Sequence, residues 1–330
     1  MATEPKTLQE AILYFASPAN CREYLVARRW PDGVVCPRCG SQAVSFLQKY
    51  NRWQCSVHHD ARQFTLKTGT IMEDSPIGLD KWLMAMWMLG NCKNGVSSYE
   101  IHRAIKVTQK SAWFMLQRIR LAMQDDLTGG SLGSEGGPVE VDEAFIGGKA
   151  RNMHRSKYRR VRMATEAKTL QGGGGKTVLL GMLERGKRVR ATVIADRKTR
   201  TIRPEIIANV EAGSTIHSDE FGGNWKMDDR YEHKIVNHLE KYVDGQVHTN
   251  GIENFWSLLK RGLGGTYVSV EPFHLFRYVD EQAFRYNNRK DANGAKLTDS
   301  DRFSTLVSQV IGKRLTFAEV TGKVGSSEAN

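Results

Sequence analysis

The chain has 330 residues, of which 40% are hydrophobic and 25% are charged, and these proportions are ordinary for a globular protein of two or three domains. Its formal net charge of +12 favours a polyanionic partner, either nucleic acid or an acidic membrane surface. No apolar run approaches the roughly 20 residues that span a bilayer, and the N-terminus lacks a secretory signal. We therefore expect a cytoplasmic, nucleoid-associated protein without a membrane partner.

Residues 1–75 are predicted to form an N-terminal helix followed by a zinc ribbon. Turn signals and short alternating stretches follow the helical pattern. Three of the five cysteines cluster there with two histidines, which favours a metal site over a disulfide framework. A closed, structural Zn²⁺ site needs four thiolate or imidazole ligands in a tetrahedron. The candidate ligands are Cys36, Cys39, Cys55 and either His58 or His59, between which the sequence does not choose.

Residues 76–128 are predicted to form a helix-turn-helix domain. Ser97 and Glu100 fit a capping box at the start of one helix, and Thr108 is placed to cap the next. The second helix begins with basic and polar residues, which suits contacts with base edges or phosphates in a major groove. An ordinary helical hairpin with a solvated basic face is the alternative. The candidate DNA contacts on the second helix are Gln109, Lys110, Ser111, Arg118 and Arg120.

The second half of the chain is predicted to be an α/β domain. Residues 129–137 are rich in Gly and Ser and indicate an interdomain linker. Strands and helices alternate over residues 138–290, which predicts a mixed sheet flanked by helices, and residues 291–330 are predicted to be a polar C-terminal extension. A basic run over residues 149–168 is by default a solvated loop, but beside Asp142 it could clamp DNA phosphates. The candidate phosphate contacts in this run are Arg159 and Arg160.

Three acidic residues mark a candidate catalytic centre. Asp142 and Asp219 lie at predicted strand ends, and Glu253 opens a helix that carries Lys260 seven positions on, on the same face. Three carboxylates presented from separate elements suit a pair of divalent cations in phosphodiester chemistry. Rival carboxylates near apolar segments are Glu143, Asp196, Glu220, Asp228 and Asp229. Histidines expected to be orienting or surface residues, and not zinc ligands, are His217, His233 and His248.

Several stretches resemble a known class of proteins over about residues 15–320. They are the Cys-Pro-Arg-Cys-Gly-Ser knuckle from Cys36, residues 68–76, the strand at 141–148, His217-Ser218-Asp219, and residues 248–260. In these stretches the chain resembles transposases of bacterial insertion sequences. Those transposases have an N-terminal zinc ribbon, a helix-turn-helix and a DDE catalytic domain of the ribonuclease-H-like fold. One departure is the mixed Cys/His second knuckle, because many relatives look like four-cysteine ribbons.

The resemblance implies an enzyme that binds the terminal inverted repeats of its insertion sequence, cleaves double-stranded DNA and transfers the strand to target DNA. It implies Asp142, Asp219 and Glu253 as ligands of two Mg²⁺ ions, for which Mn²⁺ can substitute, with Lys260 as the basic partner. It also implies a homodimer or higher oligomer on DNA. Two alternatives remain open from the sequence: a DNA-binding regulator with an inactive acidic domain, and a metal-dependent nuclease without joining activity.

Overall fold

The structure is a computed structural model, and it describes residues 4–124, 130–134, 136–148, 154–164, 175–219, 225, 227, 229–236 and 248–322. The chain divides into two compact units. The first unit comprises Met1–Gln124 together with Asn288–Asn330, and the second unit is Asp125–Asn287. Within the described ranges, no helix is both long enough and apolar enough to cross a membrane.

The first unit combines a small antiparallel sheet with a set of helices. Its strands pair in the order β1-β2-β3. Its elements are α1 (Leu8–Phe15), α2 (Pro18–Arg29), β1 (Val44–Leu47), β2 (Arg52–Cys55), β3 (Gln63–Phe64), α3 (Leu79–Asn91), α4 (Ser98–Ile105), α5 (Gln109–Ala122), α10 (Asp299–Ser308) and α11 (Phe317–Thr321). The predicted ribbon and helical regions are therefore both present as regular structure in this unit.

The irregular segment between β3 and α3 is held by three cationic side chains. Arg29 and Lys67 donate to backbone carbonyls of residues 66–77 at distances from 2.5 to 2.8 Å. Arg118 donates to two further carbonyls of the same segment at 2.8 and 3.0 Å. Buried carbonyl groups outside helices and sheets lack the backbone N–H partners of regular structure. These cationic side chains supply the hydrogen-bond donors instead. We call this arrangement the carbonyl clamp.

The C-terminal segment is an integral part of the first unit. Helix α10 packs against α3, and Phe303 is fully buried with its ring 4.9 Å from that of Trp87 and 5.6 Å from that of Tyr24. The expected polar extension over 291–330 therefore does not describe residues 299–322. The apolar residues of α10 recur at helical spacing, so they form one buried face of the helix. The average composition of the segment is polar, and for this reason composition alone does not reveal that face.

The second unit is built around one mixed sheet. Its elements are β4 (Val139–Ile146), α6 (Arg155–Ala164), β5 (Thr177–Glu184), β6 (Val189–Ile194), α7 (Thr199–Asn209), β7 (Thr215–Asp219), β8 (Glu232–Val236), α8 (Asn250–Gly265) and α9 (Leu275–Asn287). The strand order is β6-β5-β4-β7-β8, in which β4, β5 and β6 form an antiparallel meander and β7 and β8 run parallel to β4. The predicted α/β, ribonuclease-H-like fold class is confirmed.

The two faces of this sheet carry different helices. Val139 and Val141 pack into the core shared with α7, whereas Ala144 packs into the core shared with α8 and α9. Because side chains alternate along a strand, Glu140 and Asp142 point to the same face as Ala144. The sheet therefore presents both carboxylates of β4 towards α8.

The described part of the predicted linker is docked on the second unit. Leu132 is fully buried in the α7 core and bridges to Val210, and its backbone N–H donates to the Asn209 carbonyl at 2.8 Å. The predicted interdomain linker over 129–137 thus contains an anchor that the sequence analysis did not identify. Leu132 is the single large apolar residue among eight small or polar ones, and its burial offsets the chain entropy that the glycines favour.

Candidate functional site

Four side chains of the first unit form a cluster suited to zinc. Their ligand atoms all lie within 4.8 Å of one another. The distance from the Cys36 Sγ to the His59 Nε2 is 3.5 Å, and the Sγ atoms of Cys39 and Cys55 are 3.6 Å apart. Three thiols and one imidazole are a standard tetrahedral Zn²⁺ donor set, so the cluster supports a structural zinc site. Its members are Cys36, Cys39, Cys55 and His59.

The choice between the two histidines follows from local geometry. The Nδ1 of His59 lies 2.7 Å from the Asp60 carbonyl, and a proton donated there leaves Nε2 as the free lone pair. His58 is exposed and is not a member of the cluster. The structure therefore selects His59 as the fourth ligand.

The backbone prepares the first cysteine for a metal. Burial acts to raise the pKa of the Cys36 thiol, but backbone N–H groups of Arg38 and Cys39 outweigh it and lower the pKa to about 7. The turn is closed by hydrogen bonds from the Gly40 N–H to the Cys36 carbonyl and from the Cys36 N–H to the Ser41 carbonyl, both 2.9 Å. A thiol with a lowered pKa is readily deprotonated, which is the form that binds zinc.

The predicted capping residues begin the two helices of the helix-turn-helix candidate. Ser97 and Glu100 form a capping box on α4, and the Thr108 hydroxyl accepts from the Ser111 N–H at the start of α5. Lys110 is exposed and its Nζ lies 4.6 Å from the centre of the Phe317 ring. Gln109 and Ser111 are partly exposed. The first turn of α5 thus presents three candidate DNA contacts: Gln109, Lys110 and Ser111.

Two other candidates on the same helix lie in the interior. Arg118 and Arg120 are only 7% and 1% exposed. Arg118 belongs to the carbonyl clamp and also donates to the Leu315 carbonyl at 2.9 Å, and burial lowers its pKa. The prediction that Arg118 and Arg120 contact DNA is therefore wrong for this structure. Helix α5 packs against α3, α4 and α11, so its second half has no free basic face.

The basic insertion is only partly described. Helix α6 occupies Arg155–Ala164, and Arg159 on it is exposed. The side chain of Arg160, together with residues 149–153 and 165–168, lies outside the described residues. Arg159 remains a candidate phosphate contact.

The first two acidic residues lie side by side on one face of the sheet. Val139 is opposite Ile216 and Glu140 is opposite His217 in the parallel pairing of β4 with β7. The same register carried two residues further sets Asp142 level with Asp219, the last residue of β7. Strand alternation places both on the face that α8 covers. Asp219 ends β7, as the sequence predicts, but Asp142 is the fourth of the eight residues of β4 and does not lie at a strand end, because Ala144, Phe145 and Ile146 continue the strand.

Asp142 shows the electrostatic effect of this arrangement. Burial and the nearby negative charge of Asp219 raise the pKa of Asp142 to about 7. The Trp256 Nε1–H donates to the Asp142 Oδ2 at 3.0 Å and orients the carboxylate. Gly181, opposite Asp142 on β5, makes room for the indole, because a Cβ there would lie 2.5 Å from a Trp256 ring carbon. The carboxylates of Asp142 and Asp219 repel each other when both are ionised, and a bound divalent cation would neutralise their charge.

Helix α8 brings the third carboxylate to the same face. Glu253 lies in its first turn, and its Oε1 accepts from the Thr249 hydroxyl at 2.9 Å. Glu253 precedes Trp256 by three residues and Lys260 follows it by four, so all three share one side of the helix. Glu253 and Lys260 are exposed. Both therefore lie one turn from the tryptophan that contacts Asp142.

The three carboxylates are not gathered around a single point. Among the residues that the structure describes, the Cys/His cluster alone has three or more potential ligand atoms within 4.8 Å of one another, and the triad does not meet that distance. Two metal ions about 4 Å apart, each about 2 Å from its ligands, allow wider spacing between the outer oxygens. Among the described residues, Asp142, Asp219 and Glu253 therefore do not form a closed site for a single ion.

The rival carboxylates are occupied by other contacts. Glu143 points to the opposite face and pairs with Arg197 at 3.1 Å. Asp196 accepts from a threonine hydroxyl at 2.6 Å and a backbone N–H at 3.0 Å near the start of α7. Asp229 pairs with Arg203 at 2.5 Å. Two rivals, Glu220 and Asp228, lie outside the described residues.

The three predicted histidines lie within hydrogen-bonding distance of neighbouring side chains. Burial and the positive charge of Arg185 lower the pKa of His217 to about 4, and an Arg185 Nη2–H reaches its Nδ1 at 3.2 Å. His248 Nδ1 lies at the same distance from that nitrogen, and the His233 Nε2 is 2.8 Å from the Ser218 hydroxyl. None of the three belongs to a metal-ligand group in the part of the chain described. These contacts are of the orienting kind that the sequence suggested.

Comparisons with known proteins match both units. Residues 135–287 match the family described as the ISXO2-like transposase domain, a range that includes all four predicted catalytic residues. Residues 16–57 match the transposase zinc-ribbon domain, a range that includes the three cysteines and ends two residues before His59. Each match lies within the unit that contains the corresponding site.

A relative from a mobile element extends this result. An uncharacterized protein in transposable element ISH50 of Halobacterium salinarum (strain ATCC 700922 / JCM 11081 / NRC-1) is 27% identical over 254 residues, which span 76% of this chain and 84% of that protein. The alignment thus exceeds either domain match alone. The chain therefore combines a region that matches the transposase zinc-ribbon domain with a region that matches the ISXO2-like transposase domain.

Proposed function

We propose that this protein binds the terminal inverted repeats of its insertion sequence and catalyses metal-dependent DNA cleavage and strand transfer. The observation that carries the proposal is the nearness of Asp219 to Asp142, whose pKa is raised to about 7 by burial and by the charge of Asp219. An arrangement that destabilises its own charge favours a bound cation. The match to the ISXO2-like transposase domain supplies the reaction class.

The acidic residues would hold Mg²⁺, with Mn²⁺ as a substitute. Asp142, Asp219 and Glu253 supply the carboxylate oxygens, and Trp256 fixes the orientation of Asp142 through its indole N–H. When bound, the ions stabilise the charge that develops on the attacking and leaving oxygens of an in-line displacement. Lys260 supplies a mobile positive charge one turn from Trp256, which suits it to hold a phosphate of the scissile strand.

DNA recognition is assigned to both units. The first turn of α5 offers Gln109 and Ser111 for base edges or phosphates and Lys110 for phosphates. Arg159 on α6 adds a phosphate contact in the second unit. The net charge of +12 supports a salt-dependent affinity for double-stranded DNA, both the element ends and the target. Two element ends processed together require a homodimer or higher oligomer, and a DNA-bound protein of this kind would be cytoplasmic and nucleoid-associated.

The test is a joining assay with purified full-length protein, labelled candidate element ends and a plasmid target. Magnesium is omitted by dialysis rather than by EDTA, since a chelator would also remove the structural zinc. We expect Mg²⁺-dependent joined products. Cleavage without joining would identify a nuclease, and specific binding without cleavage would identify a regulator; either outcome overturns the proposal.

Variants assign the chemistry to the triad. Asp142→Asn, Asp219→Asn and Glu253→Gln should each abolish cleavage and leave end binding intact. Asp229→Asn is the matched control, because Asp229 is an acidic residue of the same unit whose carboxylate pairs with Arg203. Full activity in any triad variant would remove that residue from the site.

A further inference from the structure

Close in sequence to the three acidic residues lies an ion pair between a buried glutamate and a partly exposed arginine, which the function proposed above does not use. Glu140 is fully buried, two residues before Asp142 on the same face of β4. Its Oε1 accepts from the Arg185 Nε–H at 3.0 Å, and its Oε2 accepts from the Ile252 backbone N–H at 3.0 Å. Glu140 therefore contacts the first turn of α8 directly beside Glu253.

Helix α8 receives its N-terminal cap from a distant strand. Its own N-cap residue, Thr249, makes no side-chain hydrogen bond to the backbone of the first turn. The carboxylate of Glu140 takes that role and also meets the positive end of the helix dipole. Gly251 permits the approach, because a Cβ there would lie 2.7 Å from the Glu140 Oε2. The start of α8 is thus fixed with respect to β4.

Arg185 extends this contact to the remaining element of the site. It lies in the turn between β5 and β6, and its Nη2 donates to the His248 carbonyl at 3.0 Å, just before α8. The same nitrogen is 3.2 Å from the Nδ1 of His217, which precedes Asp219 by two residues. Arginine only donates hydrogen bonds, so the His248 carbonyl and the His217 Nδ1 both act as acceptors.

We propose that Glu140 and Arg185 are positioning residues, which hold β4, β7 and the start of α8 so that Asp142, Asp219 and Glu253 bind metal together. Each of the three elements is held at a residue one or two positions from its acidic residue: Glu140, His217 and Ile252. A network of this kind is expected to affect metal affinity by roughly 10- to 100-fold, as partners of metal ligands do elsewhere. The inference rests on the proposed function for its metal, and its test separates the two.

The test compares Glu140→Gln and Arg185→Lys with Glu184→Gln in the full-length protein. Glu184 is a matched control: it is 2% exposed, and its carboxylate accepts from Lys187 at 2.7 Å without contacting α8. Arg185→Lys keeps the charge at a partly exposed position, so it guards against a Glu140 variant that fails to fold. Hydrogen exchange of residues 248–256 is measured without added metal, and Mn²⁺ binding is measured by electron paramagnetic resonance with and without an element end.

We expect Glu140→Gln to speed exchange at the start of α8 and to raise the half-saturating Mn²⁺ concentration about tenfold or more. Arg185→Lys should move both quantities in the same direction by less, and Glu184→Gln should leave both within about twofold. Wild-type values in both test variants, or equal changes in all three, would overturn the positioning role.

Cleavage is scored in parallel. If wild type cuts no DNA while exchange and Mn²⁺ binding shift as expected, the proposed function fails and the positioning role stands. If wild type joins ends normally and Glu140→Gln matches the control, the positioning role fails alone.

Discussion

Replacing Asp142 with asparagine should stabilise the metal-free protein while it abolishes cleavage. The pKa of Asp142 rises from 3.8 to about 7 on folding, chiefly through burial and secondly through Asp219. A shift of about 3 pKa units corresponds to about 4 kcal/mol of unfavourable free energy for the ionised carboxylate in the folded chain. Asparagine carries no charge and can still accept the Trp256 indole N–H.

The direction in which the unfolding free energy changes with pH follows from proton binding to Asp142. Between about pH 4 and pH 7 the folded chain binds this proton and the unfolded chain does not, so stability from Asp142 falls as pH rises through that window. The destabilisation is complete above the folded pKa and is lost as pH falls towards 4. Asp142→Asn should therefore exceed wild type in unfolding free energy by about 4 kcal/mol at pH 8 and by about 2 kcal/mol at pH 5.

The assay is urea unfolding at both pH values in buffer without Mg²⁺ and without chelator. Added Mg²⁺ should stabilise wild type and leave the variant unchanged, because only the carboxylate gains from a cation. A variant less stable than wild type at pH 8, or a difference that does not change with pH, would refute the electrostatic reasoning. It would indicate that Asp142 is stabilised as an anion by contacts within the protein.

Other variants test the remaining features. Cys36→Ser should lose the bound zinc and weaken end binding, and an unchanged zinc content by atomic absorption would contradict the assigned ligand set. Lys110→Ala should weaken DNA binding about uniformly across sequences and reduce the slope of log affinity against log salt by about 1 in titrations at several salt concentrations. Arg118→Met should instead lower the melting temperature, by the equivalent of about 3 kcal/mol if the loss of the carbonyl clamp resembles that of other buried charged partners; normal stability with weak DNA binding would restore Arg118 to the interface. Gly181→Ala should displace the Trp256 indole and reduce cleavage more than end binding, and equal losses of both would show a general folding defect.

The strand-end position of Asp219 and the shared helix face of Glu253 and Lys260 could be predicted from sequence because their signals are local. Asp219 follows a short apolar stretch, and Glu253 and Lys260 are separated by nearly two helical turns. The same reasoning puts Asp142 at a strand end, whereas it lies within β4. The pairing of β4 with β7 could not be predicted in this way, because it joins residues 77 positions apart in sequence and depends on the whole sheet. Its consequence, the raised pKa of Asp142, is a property of the folded chain alone.

Two features that the sequence analysis misjudged or missed depend on packing between distant segments. Arg118 looks solvent-facing on an isolated helix, yet its Nε–H donates to the Leu315 carbonyl, 197 residues away in sequence. Glu140 reads as the polar member of an alternating strand and becomes the cap of α8, 112 residues on. The choice between His58 and His59 is set by local structure. It depends on which ring nitrogen stays free to bind metal after the other nitrogen hydrogen-bonds to the backbone of the turn.

The first unit is assembled from both ends of the chain, and this sets an order for its synthesis. Phe303 fills a space between Trp87 and Tyr24, and Arg118 needs the Leu315 carbonyl. A ribosome delivers these late residues only after all of Asp125–Asn287 has emerged. A nascent chain would thus have its second unit complete before the residues that fill the core of its first unit are made, and a chain truncated before α10 would lack those residues.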